Sequence, residues 1–239
     1  MPTPTSTPTV ACVRAVDLRP DWERWRLPLK SQGARGTCSV FAITAAIEHA
    51  VARRTGKGVR LSEEFLNAAA NRADGSREDG GFFHDLWRGY ERYGICEERY
   101  LPYAERFDPD LRIPRAAWAN ARAGRVRGLR LHWIKAWDVT TGLEPAQIVA
   151  IHAALQRGVP VLAGMRWPRE PEWDGGLLRM CGPEHVFDGH SVLIVGYEPR
   201  GSAPGGGAFL VRDSGGGGRW RAIPVDFAAA YINDAAWVE

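Results

Sequence analysis

Residues 31–48, SQGARGTCSVFAITAAIE, constrain the fold more than any other stretch of the chain. Gly33 and Gly36 permit a tight turn just before Cys38. After it, Val40, Ile43, Thr44, Ile47 and Val51 recur at helical spacing, and Phe41 and Ala50 widen the stripe. The pattern predicts a buried helix entered from a glycine-containing loop, with Cys38 at the point of entry. The free N–H groups and dipole of a helix N-terminus stabilise a thiolate and lower a cysteine pKa. Gln32, six residues upstream, carries an amide able to donate to a developing oxyanion, a capping or loop role being its other reading. A lone cysteine in such a place is more often a packed core residue, so the rest of the chain has to decide.

A cysteine nucleophile needs a base, and the base needs an orienter. Six histidines are present, and His190 is the one that heads a long apolar run, HSVLIVGYE, directly after Gly189. From the head of a buried strand it can project into a cleft. Asp213, in VRDSGG, follows on what reads as the partner strand. Its carboxylate would accept from the imidazole N–H, fix the tautomer, raise the His190 pKa and favour the imidazolium. A turn-forming Asp before Ser-Gly is the competing reading. Cys181, His185 and His190 form Cys-x3-His-x4-His, which matches no strong zinc spacing and lacks a fourth ligand. No metal and no cofactor is expected.

Composition narrows the classes. The 239 residues are 45% hydrophobic with ten Trp, enough for a sizeable core. A net charge of +3 with scattered arginines points to no nucleic-acid partner. No run reaches the 18 or so apolar residues of a membrane span, and MPTPTSTPTV lacks the basic and apolar parts of a signal peptide. With Cys38 set aside, Cys12, Cys96 and Cys181 cannot make a complete disulfide framework, so a reducing, cytoplasmic location is expected.

Along the chain, residues 1–15 read as a flexible Pro/Thr-rich tail. Ser62 with Glu63 and Glu64 opens a second helix. A third follows Gly80-Gly81, carrying Phe83, Leu86, Trp87 and Tyr90 and stopped by Gly94. Composition shifts over 108–127, where a lobe boundary is expected. Pro145–Gln156 reads as a helix, and 160–167, 190–197 and 208–212 as strands, with 129–137 a further candidate. A short helix near 225–231 and a strand over 235–238 close the chain. Helices in the first half and strands in the second suit an α+β protein of two lobes with a cleft between them.

Gln32-Gly33 with Gly36-Thr37-Cys38-Ser39-Val40-Phe41-Ala42 resembles the catalytic-cysteine segment of the papain-like cysteine peptidases. Leu61-Ser62-Glu63, Tyr93-Gly94-Ile95 with Tyr100–Tyr103, and His190-Ser191-Val192 with Val195-Gly196-Tyr197 resemble further family motifs in the family's order. His190 follows Cys38 by 152 residues, close to the roughly 130–150 typical of such enzymes. The resemblance covers roughly residues 16–238. It implies a single catalytic domain over 16–239, with a helical lobe over about 30–110 and an antiparallel β-barrel-like lobe over about 111–239.

The resemblance also implies a cysteine endopeptidase acting on a peptide or protein. Cys38 would be the nucleophile, His190 the base, Asp213 the orienter and Gln32 the oxyanion donor, with Gly80 and Gly81 holding an extended substrate by their backbone. The chain departs from the family in three places. Asp213 stands where the family has Asn, Gly215 where a shielding Trp is usual, and Arg35 where a disulfide cysteine lies. No long inhibitory pro-segment is expected, and a regulatory protein partner stays open. The alternatives are an acyl transferase, ligase or amidase on a dedicated substrate, and a binding or scaffold protein that has lost catalysis.

Overall fold

The computed structural model describes residues 14–124 and 128–239. The tail expected over residues 1–15 lies outside the described residues, except Arg14 and Ala15, and so does Cys12. A short strand, β1 (Val16–Asp17), and a helix, α1 (Arg19–Arg24), lead into α2 (Cys38–Thr55), α3 (Glu63–Asp74), α4 (Phe83–Tyr93) and α5 (Arg115–Ala123). Then follow β2 (Leu131–Lys135), α6 (Pro145–Gln156), β3 (Val161–Pro168), β4 (Trp173–Asp174), β5 (Leu177–Leu178) and β6 (Val186–Pro199). The chain ends with β7 (Gly207–Asp213), β8 (Arg219–Pro224), α7 (Val225–Tyr231) and β9 (Ile232–Val238).

Local chemistry explains the helix ends. The Ser62 hydroxyl accepts from the Phe65 N–H at 3.0 Å, ahead of Glu63 and Glu64 in the first turn of α3. Pro145 opens α6 inside a reciprocal Glu144–Gln147 capping box. Gly56 closes α2 at φ 73°, a left-handed conformation that costs glycine little. Helix α2 is buried from Ser39 to Ala52, because α3 and α4 pack on one side of it and the sheet, chiefly β6, on the other. In α4, Gly89 meets α3 so closely that an added Cβ would lie 2.6 Å from the Ala70 nitrogen.

The sheet runs in the order β2-β9-β3-β6-β7-β8-β5-β4, with β1 added to β6. All pairings are antiparallel except β5 with β8. The expected α+β architecture is present, but the ladder runs from β2 to β4 without closing into a barrel. Long β6 pairs β3 through Val186–Ile194 and β7 through Leu193–Pro199, so it crosses the middle of the sheet.

Four elements lie where the sequence reads otherwise. The 108–127 stretch holds α5, whose Ala117 and Ala121 join Phe65, Ala69, Cys96 and Leu101 in a small core of the helical half. The change from helix to sheet comes after Ala123, inside the 108–127 stretch. Strand β8 and the β4–β5 hairpin are additions, since RWRAIP and the 173–178 stretch show little apolar alternation.

Arg35 fastens the helical half. Its side chain is 4% exposed and reaches Glu64 at 2.6 Å, Asp79 at 2.7 Å and the Ala104 carbonyl at 2.8 Å. Its guanidinium also lies 4.4 Å from the Tyr103 ring centre. A buried pair is costly to break from one side, because a carboxylate stays behind without its partner. Arg35→Ala is expected to cost about 3–5 kcal/mol in urea unfolding; a loss under about 1 kcal/mol would show that water replaces the guanidinium.

Candidate active site

Cys38 is the first residue of α2, where the helix leaves its first-turn N–H groups without intrahelical acceptors. The turn before it is set by Gly33 at φ 62°. Tyr103 ties that loop down: its hydroxyl donates to the Gln32 carbonyl at 2.9 Å and lies 2.6 Å from the Thr37 hydroxyl. Gly80 holds the outer side. Its N–H donates to the buried Asn67 amide oxygen at 3.1 Å, and a Cβ there would run into the Gly36 carbonyl.

Across the groove, β6 brings His190 to Cys38. His190 Nε2 lies 2.8 Å from Asp213 Oδ1 on β7, with the two side chains 12% and 4% exposed. That bond leaves Nδ1 as the ring nitrogen for the thiol. Burial disfavours the Cys38 thiolate, but the hydrogen bond and charge of His190, with backbone hydrogen bonds from Ser191 and Ser39, outweigh it and the pKa falls. Burial likewise opposes a charged His190. The hydrogen bonds to Asp213 and Cys38 and their charges prevail, lifting it to about 9. Both shifts favour a thiolate–imidazolium pair.

Gln32 is held by both ends of its amide. Ser214 Oγ donates to Gln32 Oε1 at 2.8 Å, and Gln32 Nε2 donates to the Arg35 carbonyl at 2.8 Å. An amide nitrogen has two hydrogens, so a second remains. Gly80 and Gly81 part company. Gly81 lines the cleft beside Cys38, whereas Gly80 does not, and its N–H is spent on Asn67.

Sequence reasoning misses several residues. Trp167 on β3 packs against His190 with ring centres 4.8 Å apart, on the histidine left bare by Gly215. Gly215 instead donates its N–H to Asp213 Oδ1 at 2.8 Å. Asp234, 4% exposed, lines the cleft, and burial lifts its pKa to about 6 against the pull of Lys135 and the Gly164 N–H. Phe82, from the helical half, and Trp137, from the sheet half, meet at 5.2 Å while both line the groove. Trp167 ends the 160–167 run that the sequence reads as a strand, and nothing in that run marks it as a neighbour of His190. Among the described residues, no three His, Cys, Asp or Glu side chains converge so as to hold a metal ion.

The sequence model of the papain family cysteine proteases matches residues 13–220. Cathepsin K of Gallus gallus is 28% identical over 208 residues, which is 82% of this chain and 54% of that protein. Cysteine proteinase 3 of Solanum lycopersicum is 26% identical over 208 residues, 82% of this chain and 52% of that protein. The chain thus spans about half the length of the curated relatives it matches. Xylellain, a cysteine protease from Xylella fastidiosa, superposes with a TM-score of 0.72 at 19% identity, covering 94% of this chain and 85% of that one. At that identity the likeness speaks for the fold alone, which is papain-like.

The pKa directions set a pH window. The thiolate is lost as pH falls through the lowered Cys38 value, and the imidazolium is lost as pH rises through about 9. A histidine raised from 6.5 adds stability that is full below pH 6.5 and gone above about 9. Iodoacetamide is therefore expected to label Cys38 below pH 7. Cys96, lifted to about 11 by burial, and Cys181, also raised, should stay unlabelled. Peptide mapping by mass spectrometry checks this, and equal labelling of the three thiols would mean that no ion pair forms.

Proposed function

The chain belongs to the papain family of cysteine proteases, and from that premise we propose that it hydrolyses peptide bonds through a Cys38 acyl-enzyme. The observation that carries the proposal is the 2.8 Å bond from His190 Nε2 to Asp213, which leaves the other ring nitrogen to Cys38 at the head of α2. The Cys38 thiolate attacks the amide carbonyl. The oxyanion that forms is met by the Cys38 N–H and the second N–H of Gln32. His190 then passes its proton to the leaving amine, and next takes one from the water that releases the acyl group. Asp213 keeps the imidazole in the tautomer that this sequence needs.

The substrate is a peptide or protein segment laid along the groove beside Gly81. A reducing compartment is our reading of the cell location, supported by the free state of Cys38, Cys96 and Cys181. A narrower substrate range, down to acyl transfer on one dedicated partner, is favoured by the contact of Phe82 with Trp137. Their side chains, 47% and 48% exposed, bridge the two halves of the groove, and a bulky chain must part them.

Turnover of a fluorogenic peptide library tests the reading. Cys38→Ala should fold normally and lose at least about 10⁴-fold in kcat/KM; retained turnover would remove Cys38 from the chemistry. Trp137→Ala should widen the set of cleaved peptides and leave the rate on small ones within about threefold. An unchanged specificity profile would mean that the aromatic pair does not gate the groove.

A further inference from the structure

Asp213 is a carboxylate where the family carries a neutral amide, and it is almost fully enclosed. Its Oδ1 is used by His190 Nε2 and the Gly215 N–H, both at 2.8 Å. Its Oδ2 faces Arg221 Nε at 3.2 Å, in an ion pair whose side chains are 15% and 4% exposed. The sheet creates this pair. Asp213 on β7 registers with Arg219 on β8, so Arg221 is the diagonal neighbour two residues along, on the same face.

Arg221 is itself held in place. Its guanidinium carbon lies 3.9 Å from the centre of the Trp173 ring, close enough for a cation–π contact. Trp173 belongs to β4, which pairs with β5, and β5 joins β8 in parallel through Leu177 and Ala222, next to Arg221. Gly216 leaves room on the other side, since a Cβ there would lie 2.8 Å from Arg221 Nη2. Trp173 also approaches Trp167, ring centres 6.1 Å apart, and Trp167 covers His190. The β4–β5 hairpin thus fixes a cation on the far side of Asp213 from the histidine.

We propose that Arg221 is a positioning residue of the catalytic site, which balances the charge of Asp213 so that His190 is not over-stabilised as the imidazolium. This rests on the assignment of His190 as the proton carrier above. A lone buried carboxylate against the imidazole would hold the proton too tightly for transfer to the leaving amine, since general acids work best near the operating pH. A cation on the distal oxygen draws off part of that field and brings the Asp213–Arg221 unit closer to the neutral amide of the family. The Gly215 N–H keeps Oδ1 turned to His190, so the main effect of Arg221 is through charge. Among the described residues, the other charged or titratable groups near His190 are Cys38 from α2, and Arg166 from β3 and Asp234 from β9, which line the same cleft.

The experiment is the pH dependence of kcat/KM on a fluorogenic peptide for wild type, Arg221→Gln and Arg221→Lys, with circular dichroism as the check of folding. In Arg221→Gln the basic limb should move up by about 0.5–1 pH unit, less than for a charge bonded directly to the ring. kcat should fall about 5–10-fold as the acid weakens. Arg221→Lys, which keeps the charge, should hold the limb at the wild-type position. A basic limb that stays in place in Arg221→Gln, or moves equally in Arg221→Lys, overturns the proposal and leaves Arg221 a packing residue. Should Arg221→Gln fail to fold, the pair Asp213→Asn and Asp213→Asn/Arg221→Gln carries the test. The limb of the double variant should lie above that of the single one, and coincidence of the two overturns the proposal. Cys38→Ala is run alongside. If it keeps turnover, the site assignment falls; if it is inactive while the Arg221 limbs do not move, the Arg221 inference alone falls.

Discussion

Helix α2 is buried on every side from Ser39 to Ala52, and its first residue meets β6 where His190 and Ser191 stand. That contact brings a helix N-terminus and a strand from opposite halves of the molecule to one point. The helix supplies unpaired N–H groups, and the strand supplies an imidazole whose far nitrogen is already committed to Asp213. Neither half makes an activated thiol alone. The apolar packing of Val40, Ile43 and Ile47, each fully buried, fixes the helix axis and with it the position of the sulfur. The Cys38–His190 pair is thus held by apolar groups that do not touch the cleft chemistry proposed for it.

The parts that the sequence exposes are those with a strong local period or an obligatory residue. The apolar stripe after Cys38, the Ser62 cap, Pro145 at the start of α6 and the run HSVLIVGY all translate into the observed elements. Helix α5 was hidden because its buried face is made of alanines, Ala117 and Ala121, beside a single Trp118 in a Pro- and Arg-rich stretch. Strand β8 was hidden because Arg219 and Arg221 occupy one of its faces. Cys38, His190 and Asp213 were legible as a set through order and flanks. Trp167, Asp234, Tyr103 and Arg221 reach the site through sheet register and loop closure, which no local pattern encodes. The partner of the Gly80 N–H, Asn67, lies in another element and was hidden for a similar reason.

The departures from the family motif form one connected arrangement. Gly215 stands where the family has tryptophan, and Trp167 from the neighbouring strand packs against the histidine instead. Exchange of amide for carboxylate at Asp213 adds a buried negative charge, and a cation from β8 faces it. The short β4–β5 hairpin serves both, since Trp173 contacts the covering tryptophan and the balancing arginine. A buried charge is tolerable when it is paired and hydrogen-bonded: Asp213 Oδ1 accepts from His190 and the Gly215 N–H, and the charge of Arg221 faces Oδ2.

Arg35 carries a consequence for handling and for chemistry. Cross-linking by sulfur ties a fold to the redox state of its surroundings, and the reductant that protects a catalytic thiol then attacks the framework. Here the helical half is clasped by a guanidinium between Glu64 and Asp79, and Cys96 and Cys181 are free. Strong reductants can therefore keep Cys38 as a free thiol without loosening that clasp. Its weakness lies in the carboxylates instead, since loss of Glu64 or Asp79, and not reduction, would open it.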